Sequence, residues 1–455
     1  MAHEKALTLV ESLLGARLKR SDAERAAHGE NEAHFPQALP DAVAYPKSTE
    51  EVSEIMKVAH AEGMPVTPYG TGTSLEGHHL PVEGGLTLDL SLMNRILAVH
   101  DADMDVTVQP GVTRSQLNDE LRATGLYFPI DPGADASLGG MAATRASGTM
   151  AVRYGTMREN ILALEAVLAD GRIIRTGSRA RKSSSGYDLT HLLIGSEGTL
   201  GIITELTLKL HGQPESILAA TCRFPSVENA VNCVITTIQA GIPMARIELV
   251  NATMVRGFNL HGGGDMPEEP HLFLEFSGSD SAVSEQSELF GEIAADFDAQ
   301  DFTRATRLED RNALWAMRHN AHHASKALYP GKRMLATDVC VPISRLAEAV
   351  EAAEGAAREL GLEPVIVGHV GDGNFHTGIG FDPADPAELA MIESFSATLA
   401  ETSLRLGGTV SGEHGIGLGK RKYMEAEHGP ALAPMRAIKA AMDPKGILNP
   451  GKMLP

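Results

Sequence analysis

Residues 131–156 read DPGADASLGGMAATRASGTMAVRYGT. Glycine, alanine, serine and threonine dominate the stretch. Small side chains at that density let a backbone press against a ligand, and glycine supplies the positive φ that tight turns need. Ser137 is placed to cap a short helix starting at Leu138, whose free N–H groups would face outward as an anion site requires. A buried Gly/Ala helix packed on a sheet is the plain alternative. Two flanking glycine-rich segments favour the ligand reading. Pro68–Gly77, PYGTGTSLEG, follows a short strand expected over Met64–Thr67. A dinucleotide fingerprint would need a helix next and an acidic residue about twenty positions on. The continuation HHLPVEGG is a poor helix, so the segment reads as a loop of another kind, able to cradle pyrophosphate on backbone N–H groups without a lysine. Gly195–Thr204, GSEGTLGIIT, reads as a tight turn running into an apolar strand.

The bulk properties bound the rest. A length of 455 residues suggests about three domains. The net charge of −20 argues against a nucleic-acid partner and against an anionic membrane surface. Cys222, Cys233 and Cys340 have no metal or redox spacing and read as reduced thiols of a cytoplasmic protein. No apolar run approaches the roughly 18 residues of a membrane span. The opening MAHEKALTLVESLLGARLKR lacks a signal-peptide apolar core and reads as an amphipathic helix with Leu7, Val10, Leu13 and Leu14 on one face.

In order, residues 1–36 form a helical lead-in. A capping box at Ser48 and Glu51 opens a helix ending near Gly63, with Val52, Ile55, Met56 and Ala59 buried. Strands are expected at Leu86–Leu90 and Asp105–Val108, a helix from Thr113 to Thr124, and a hairpin over 162–177. HGQPES, from His211, reads as a linker, so that the first domain spans 37–214 and the second 215–455. The second alternates strands (217–224, 270–276, 334–341, 364–370, 375–380) with helices (226–240, 281–297, 343–360, 386–406), an α+β pattern. Asn259–Pro270 reads as a surface loop.

From about Val43 to Leu210 the sequence resembles the flavin domain of the vanillyl-alcohol-oxidase type, also called the PCMH type. The runs ASGTMAVRYGTMREN, GYDLTHLLIGSEGTLGIIT and TDVCVPISRL resemble the cytochrome-linked, FAD-dependent D-lactate dehydrogenases of the type 4 FAD-binding oxidoreductase family. The resemblance implies an α+β cap with a ferredoxin-like sheet after the flavin domain. Position by position, it implies FAD contacts from Tyr69, Gly70, Thr71, Gly72, Thr73 and Ser74 in the first loop. Pro132, Gly133, Asp135, Leu138, Gly139 and Gly140 follow, then Ser147, Gly148, Arg153, Tyr154 and Gly155. Gly198, Gly201, Ile202, Ile203 and Asn449 complete the set, although an Asn-Pro-Gly turn also explains Asn449. Some relatives attach FAD through a histidine at the place of Thr73, so the resemblance implies non-covalent FAD here. Met150 stands where these relatives usually carry asparagine.

Glu363–Gly380, EPVIVGHVGDGNFHTGIG, carries the chemistry. Asp372-Gly373 between apolar runs is a two-residue hairpin signal. That loop would set His369 opposite His376, with their Cβ atoms about 4.5–5.5 Å apart on one face. Two imidazoles so placed can chelate a metal. Ser411–Gly417, SGEHGIG, adds a carboxylate and a third imidazole. Two histidines and a glutamate suit a divalent metal with open positions, and Zn²⁺ and Mn²⁺ both accept such a set. The resemblance implies His369, His376 and Glu413 as ligands and His414 as general base. It also places Arg318, in LWAMRHN, against the substrate carboxylate, with Asn374 beside the substrate. A surface role for Arg318 is the alternative, and Lys332 and Arg333 are weaker candidates. Ala336 stands where the D-2-hydroxyglutarate enzymes carry a lysine.

The reading is an FAD- and metal-dependent dehydrogenase that oxidises D-lactate or a related D-2-hydroxy acid, with a protein or quinone as electron acceptor. Its rivals are a glycolate or D-2-hydroxyglutarate dehydrogenase and the flavin subunit of a multisubunit glycolate oxidase. A cytoplasmic location is expected, peripheral to the inner membrane through the acceptor, with a homodimer as one assembly compatible with it.

Overall fold

The computed structural model describes residues 3–455. The chain divides into two compact units, Met1–Ser147 with Tyr154–Gln213 and Glu413–Pro455 as the first, and Gly148–Arg153 with Pro214–Gly412 as the second.

The first unit holds two larger sheets and the two-stranded pair of Leu126–Tyr127 with His211–Gly212. In one, the strands Ala42–Ala44, Leu86–Asp89 and Val66–Tyr69 run parallel, with the short strand Leu18–Lys19 added antiparallel at the edge. The helix Thr49–Glu62 supplies the crossover between the two outer parallel strands. Ser48 caps it by accepting the Glu51 N–H at 3.3 Å, and Gly63 ends it in the left-handed region at φ 65°. Val52, Ile55, Met56 and Ala59 are all buried, as their helical spacing requires. The second sheet is antiparallel, in the order Ile96–His100, Asp105–Val108, Ile202–Lys209, Ile161–Val167, Ile173–Gly177.

The second unit is built on an eight-stranded antiparallel sheet. Its order is Gln300–Ala305, Ser216–Arg223, His271–Gly278, Arg246–Val250, Val365–His369, Asn374–Phe381, Arg333–Ala336, with Val339–Cys340 also pairing to Asn374–Phe381. The helices Val227–Gln239, Asp280–Asp296, Leu346–Glu359 and Pro386–Arg405 contribute to one apolar core with this sheet. The helix Leu308–His319 contributes Trp315 to a separate cluster with Val250, Phe258 and Phe273.

Several expectations are corrected. The opening helix, Glu4–Leu14, buries Ala6, Leu7, Val10 and Leu14, while Leu13 is exposed; Ala6 replaces it because the buried stripe is centred one position earlier. Beyond this helix the lead-in is mostly irregular, and only Asp22–Ala27 is again α-helical. His211–Gly212 is a two-residue strand paired with Leu126–Tyr127, not a free linker. The expected strand 334–341 is broken at Thr337-Asp338, where Asp338 turns inward to bond Asn374 and Ser411. The helix Ala252–Gly262 takes the first part of the expected surface loop. By contacts, residues 413–455 fold with the first unit. There Lys439 Nζ donates to the Thr199 carbonyl at 2.8 Å, and the Val66 carbonyl accepts from Asn449 N–H at 2.9 Å.

A buried ion pair ties the lead-in to the parallel sheet. His28 Nε2 lies 2.9 Å from Asp89 Oδ2, and its Nδ1 lies 2.9 Å from the Glu24 carbonyl. Burial disfavours the charged ring, but the Asp89 bond and the Glu24 carbonyl outweigh it and raise the histidine's pKa. A raised value means stabilisation that is complete below the ordinary histidine range and is lost as pH rises through the folded value. His28→Gln is therefore expected to lower the unfolding midpoint at about pH 6, by the equivalent of about 1.5–3 kcal/mol. The gap to the parent should narrow toward about pH 9. A gap of constant size across that range would show that the ring's charge contributes nothing.

Candidate functional site

In the first unit the three glycine-rich segments meet around the helix Leu138–Thr144. A Cβ on Gly70 would stand 2.4 Å from Ser137 Oγ, one on Gly139 2.4 Å from Pro110 Cβ, and one on Gly198 2.3 Å from Pro68 Cγ. The third segment bonds the end of the helix, with Gly195 N–H to the Ala142 carbonyl at 2.9 Å and Glu197 N–H to the Ala143 carbonyl at 2.8 Å. Gly133 faces open space. The result is a surface of closely approached backbone, which suits a flat, pyrophosphate-bearing group such as FAD. Ser137 sits at the N-cap, but its side chain makes no capping bond.

The other positions singled out for FAD divide between the units. Tyr69 packs 4.5 Å from the His28 ring and 5.5 Å from His79. The Thr71 and Thr73 hydroxyls lie 3.3 Å apart, Ser74 Oγ bonds His78 Nδ1, and Asp135 Oδ1 accepts from Ser115 N–H at 3.0 Å. Leu138, Ile202 and Ile203 are buried. Pro132, Gly140, Ser147, Gly155 and Gly201 belong to the first unit, as does Tyr154, whose ring packs 4.7 Å from His211. Gly148 and Arg153 belong to the second unit, where Arg153 Nη1 donates to the Pro243 carbonyl at 2.6 Å. Asn449 Nδ2 donates to the His78 carbonyl at 3.0 Å and the Glu197 carbonyl at 2.7 Å, which makes it a clamp between the first and third segments.

In the second unit, His369 and His376 lie on one face of the hairpin, but not directly opposed. His369 pairs with Asn374 and His376 with Val367, so the loop is Val370–Gly373. The register differs from the expected one by two residues. Side chains alternate with period two, so a shift of two keeps both histidines on the same face. They become diagonal neighbours, within reach for long side chains, with ring centroids 5.4 Å apart. The second unit ends at Gly412, and Glu413 is one peptide bond further on. One ligand atom from each of His369, His376 and Glu413 falls within 4.8 Å of the others.

Each ring has an acceptor near its Nδ1. His369 Nδ1 lies 2.7 Å from Glu248 Oε1, and His376 Nδ1 lies 3.1 Å from the Thr337 carbonyl. A neutral histidine that donates from Nδ1 carries no proton on Nε2, the arrangement usual for a ligating histidine. Two such imidazoles and a carboxylate fit a divalent cation such as Zn²⁺ or Mn²⁺. Glu248 is fully buried, and its other oxygen lies 2.6 Å from Arg318 Nη2. Burial opposes its charge, yet His369 and Arg318 together hold its pKa below the usual carboxylate range. Arg318 is buried, not a surface arginine, and its Nε has no partner among the described residues. Lys332 and Arg333 are exposed, and Lys332 pairs with Glu388. Asn374 gives its amide hydrogens to Asp338 Oδ1 at 2.7 Å and the Val339 carbonyl at 2.8 Å, leaving Oδ1 buried and open.

His414 lies on a loop of the first unit that Glu197 holds. Glu197 Oε1 accepts from Ile416 N–H at 2.7 Å and Oε2 from Gly417 N–H at 2.9 Å, while Glu76 O accepts from Leu418 N–H at 2.8 Å. Burial opposes the Glu197 charge, but His78, with Nε2 3.2 Å away, and the two N–H groups outweigh it and hold the pKa low. Gly415 is required here, because a Cβ would stand 2.7 Å from His78 Nε2 and 2.8 Å from Glu197 Oε1. Glu197 and Glu248 were not singled out from the sequence. The available signals were a lone glutamate in GSEG and the alternation of RIELV at 246–250. Glu197→Gln turns an amide N–H₂ toward a backbone donor and is expected to cost roughly 1–3 kcal/mol. Hydrogen exchange should quicken at Ile416–Leu418 and stay slow in the strand Ile202–Lys209. Equal protection in both proteins would mean that the carboxylate does not hold the loop.

Residues 40–177 match the family described as FAD binding domain, and residues 213–453 match FAD linked oxidases, C-terminal domain. The chain is 49% identical to a probable mitochondrial D-lactate dehydrogenase of Danio rerio, covering 95% of this chain and 88% of the relative. It is 43% identical to a mitochondrial D-lactate dehydrogenase [cytochrome] of Arabidopsis thaliana, covering 99% and 80%. A crystal structure of p-cresol methylhydroxylase superposes with a TM-score of 0.81 at 18% identity, covering 99% of this chain and 96% of that one, so the fold is of the PCMH type. A glycine-lined cradle in the first unit, two oriented histidines in the second and similarity along nearly the whole sequence place this chain in the family of FAD-linked oxidases.

Proposed function

We propose that this chain oxidises D-lactate, or a closely related D-2-hydroxy acid, to the 2-oxo acid and passes the electrons to a cytochrome or quinone acceptor. The observation that carries the reading is the gathering of His369, His376 and Glu413, with His414 next in sequence, in a chain so similar to proteins named D-lactate dehydrogenase. FAD, which the glycine-lined cradle of the first unit would hold, would supply the hydride acceptor, and a divalent metal on His369, His376 and Glu413 would supply the charge that lowers the pKa of the substrate hydroxyl. FAD is held non-covalently, since Thr73 stands at the attachment place. His414 takes the hydroxyl proton, a role suited to a group with ordinary pKa near 6.5. Arg318 holds the substrate carboxylate with the N–H groups that Glu248 leaves open. Asn374 Oδ1 lines the substrate side. Among the described residues no helix is long and apolar enough to cross a membrane; we place the chain in the cytoplasm, reaching a membrane through its acceptor.

Acid precipitation should release the yellow colour into the supernatant; colour retained in the pellet would overturn non-covalent binding. His414→Ala is expected to slow flavin reduction roughly 10²–10⁴-fold with FAD and metal still bound. Alanine at His369, His376 or Glu413 should lose the metal and keep FAD.

The substrate's size and hand are read by anaerobic bleaching. D-Lactate should reduce the flavin faster than L-lactate, and faster than D-2-hydroxyglutarate, because Ala336 offers no cation to a second carboxylate. Arg318→Ala should weaken substrate binding by about 1.5–3 kcal/mol. A preference for L-lactate or for D-2-hydroxyglutarate would overturn the assignment.

A further inference from the structure

We propose that Glu248 is the positioning residue that couples metal retention to substrate binding, by orienting His369 with one oxygen and Arg318 with the other. The inference rests on the metal and substrate roles given above. It starts from a residue that touches neither metal nor substrate.

Glu248 lies on Arg246–Val250, whose neighbour in the sheet is Val365–His369. The pairs Leu249 with Gly368 and Val250 with Val367 bring Glu248 beside His369. The carboxylate is fully buried, and each oxygen serves one partner, His369 Nδ1 at 2.7 Å and Arg318 Nη2 at 2.6 Å. The two duties are chemically distinct. Accepting from Nδ1 fixes the tautomer in which His369 Nε2 can ligate. Accepting from Nη2 fixes the planar guanidinium, whose remaining N–H groups keep a set direction because the fork is rigid. His376 Nδ1 lies 3.1 Å from the Thr337 carbonyl and 3.8 Å from Asp338 Oδ1.

The amide isostere separates these duties. Glutamine has one acceptor oxygen and one N–H₂. If the oxygen serves Arg318, the N–H₂ faces His369 Nδ1 and drives the proton to Nε2, where it blocks the metal. If the oxygen serves His369, the N–H₂ opposes the guanidinium. Charge and hydrogen bonding both draw the glutamine oxygen to the arginine, so the metal side should suffer. Replacing Arg318 by methionine removes that competition and lets the glutamine oxygen return to His369.

The test uses the FAD-loaded protein, stripped of metal by dialysis against a chelator and titrated with Zn²⁺ in competition with a chromophoric chelator. Flavin content and circular dichroism report folding. Glu248→Gln should bind Zn²⁺ roughly 10–100-fold more weakly than the parent. The double variant Glu248→Gln/Arg318→Met should regain most of that loss, while its KM for D-lactate stays raised. Should Glu248→Gln fail to fold, Glu248→Met/Arg318→Met replaces the buried pair by apolar side chains, which such sites often tolerate. It should keep FAD and hold Zn²⁺ weakly, because His369 Nδ1 loses its acceptor. Parent-like zinc affinity in Glu248→Gln, or in the Met/Met variant, would overturn the inference. So would a double variant no tighter than Glu248→Gln. A parent protein that retains no zinc would instead remove the metal reading itself, and this inference with it.

Discussion

The carboxylate of Glu197 is surrounded by donors, and the first unit depends on that match. A buried carboxylate stays charged only where hydrogen bonds and opposite charge replace its water. Here they come from two parts of the sequence, His78 beyond the first glycine segment and the N–H groups of Ile416 and Gly417 in the SGEHGIG turn; the Glu197 N–H in turn donates to the Ala143 carbonyl at the end of the helix Leu138–Thr144. Glu197 itself sits at φ 55°, a conformation that a non-glycine residue holds only when its surroundings dictate it. One residue therefore fixes both the glycine turn and the loop that carries His414. This matching also explains why 413–455 fold with the first unit although the preceding residues belong to the second.

The glycine cradle was legible in the sequence because it is made of backbone. Where side chains are absent, composition announces the function, and the contacts at Gly70, Gly139 and Gly198 bear out why no larger residue fits. The amphipathic helix Thr49–Glu62 was legible for a similar reason, since its capping residue, its glycine stop and its buried stripe are all local. The placing of His369 and His376 on one face was legible through the hairpin, even though the turn is longer than Asp372-Gly373 alone.

Glu248 was not legible, and the reason is topological. It stands 121 positions before His369, on a strand that no reading of local pattern had assigned. The alternation of Arg246, Glu248 and Val250 against Ile247 and Leu249 is short, and its face carries charge where a core strand would carry apolar side chains. A charge pattern of that kind in isolation reads as solvated surface. Only the partners, Arg318 and His369, turn it into a buried network, and partners are set by sheet order. The same holds for Asp338, whose carboxylate joins Asn374 and Ser411 inside the second unit.

The break in the strand at Thr337-Asp338 takes on a purpose in this light. A slip of one residue between Val365–His369 and Asn374–Phe381 would turn His369 and His376 to opposite faces and separate their rings. The tight turn does not exclude such a slip by itself, because Val370–Gly373 is glycine-rich and adaptable. Contacts from the neighbouring segment do exclude it. Asn374 is held by Asp338 Oδ1 and the Val339 carbonyl, and Thr377 is held by the Thr337 hydroxyl, which lies 2.8 Å from its own hydroxyl and 3.1 Å from its N–H. These bonds flank His376 on both sides, and its Nδ1 faces the Thr337 carbonyl at 3.1 Å and Asp338 Oδ1 at 3.8 Å. A continuous strand could not turn Asp338 inward to make them. The interruption that the sequence pattern concealed is thus what holds the histidines in register.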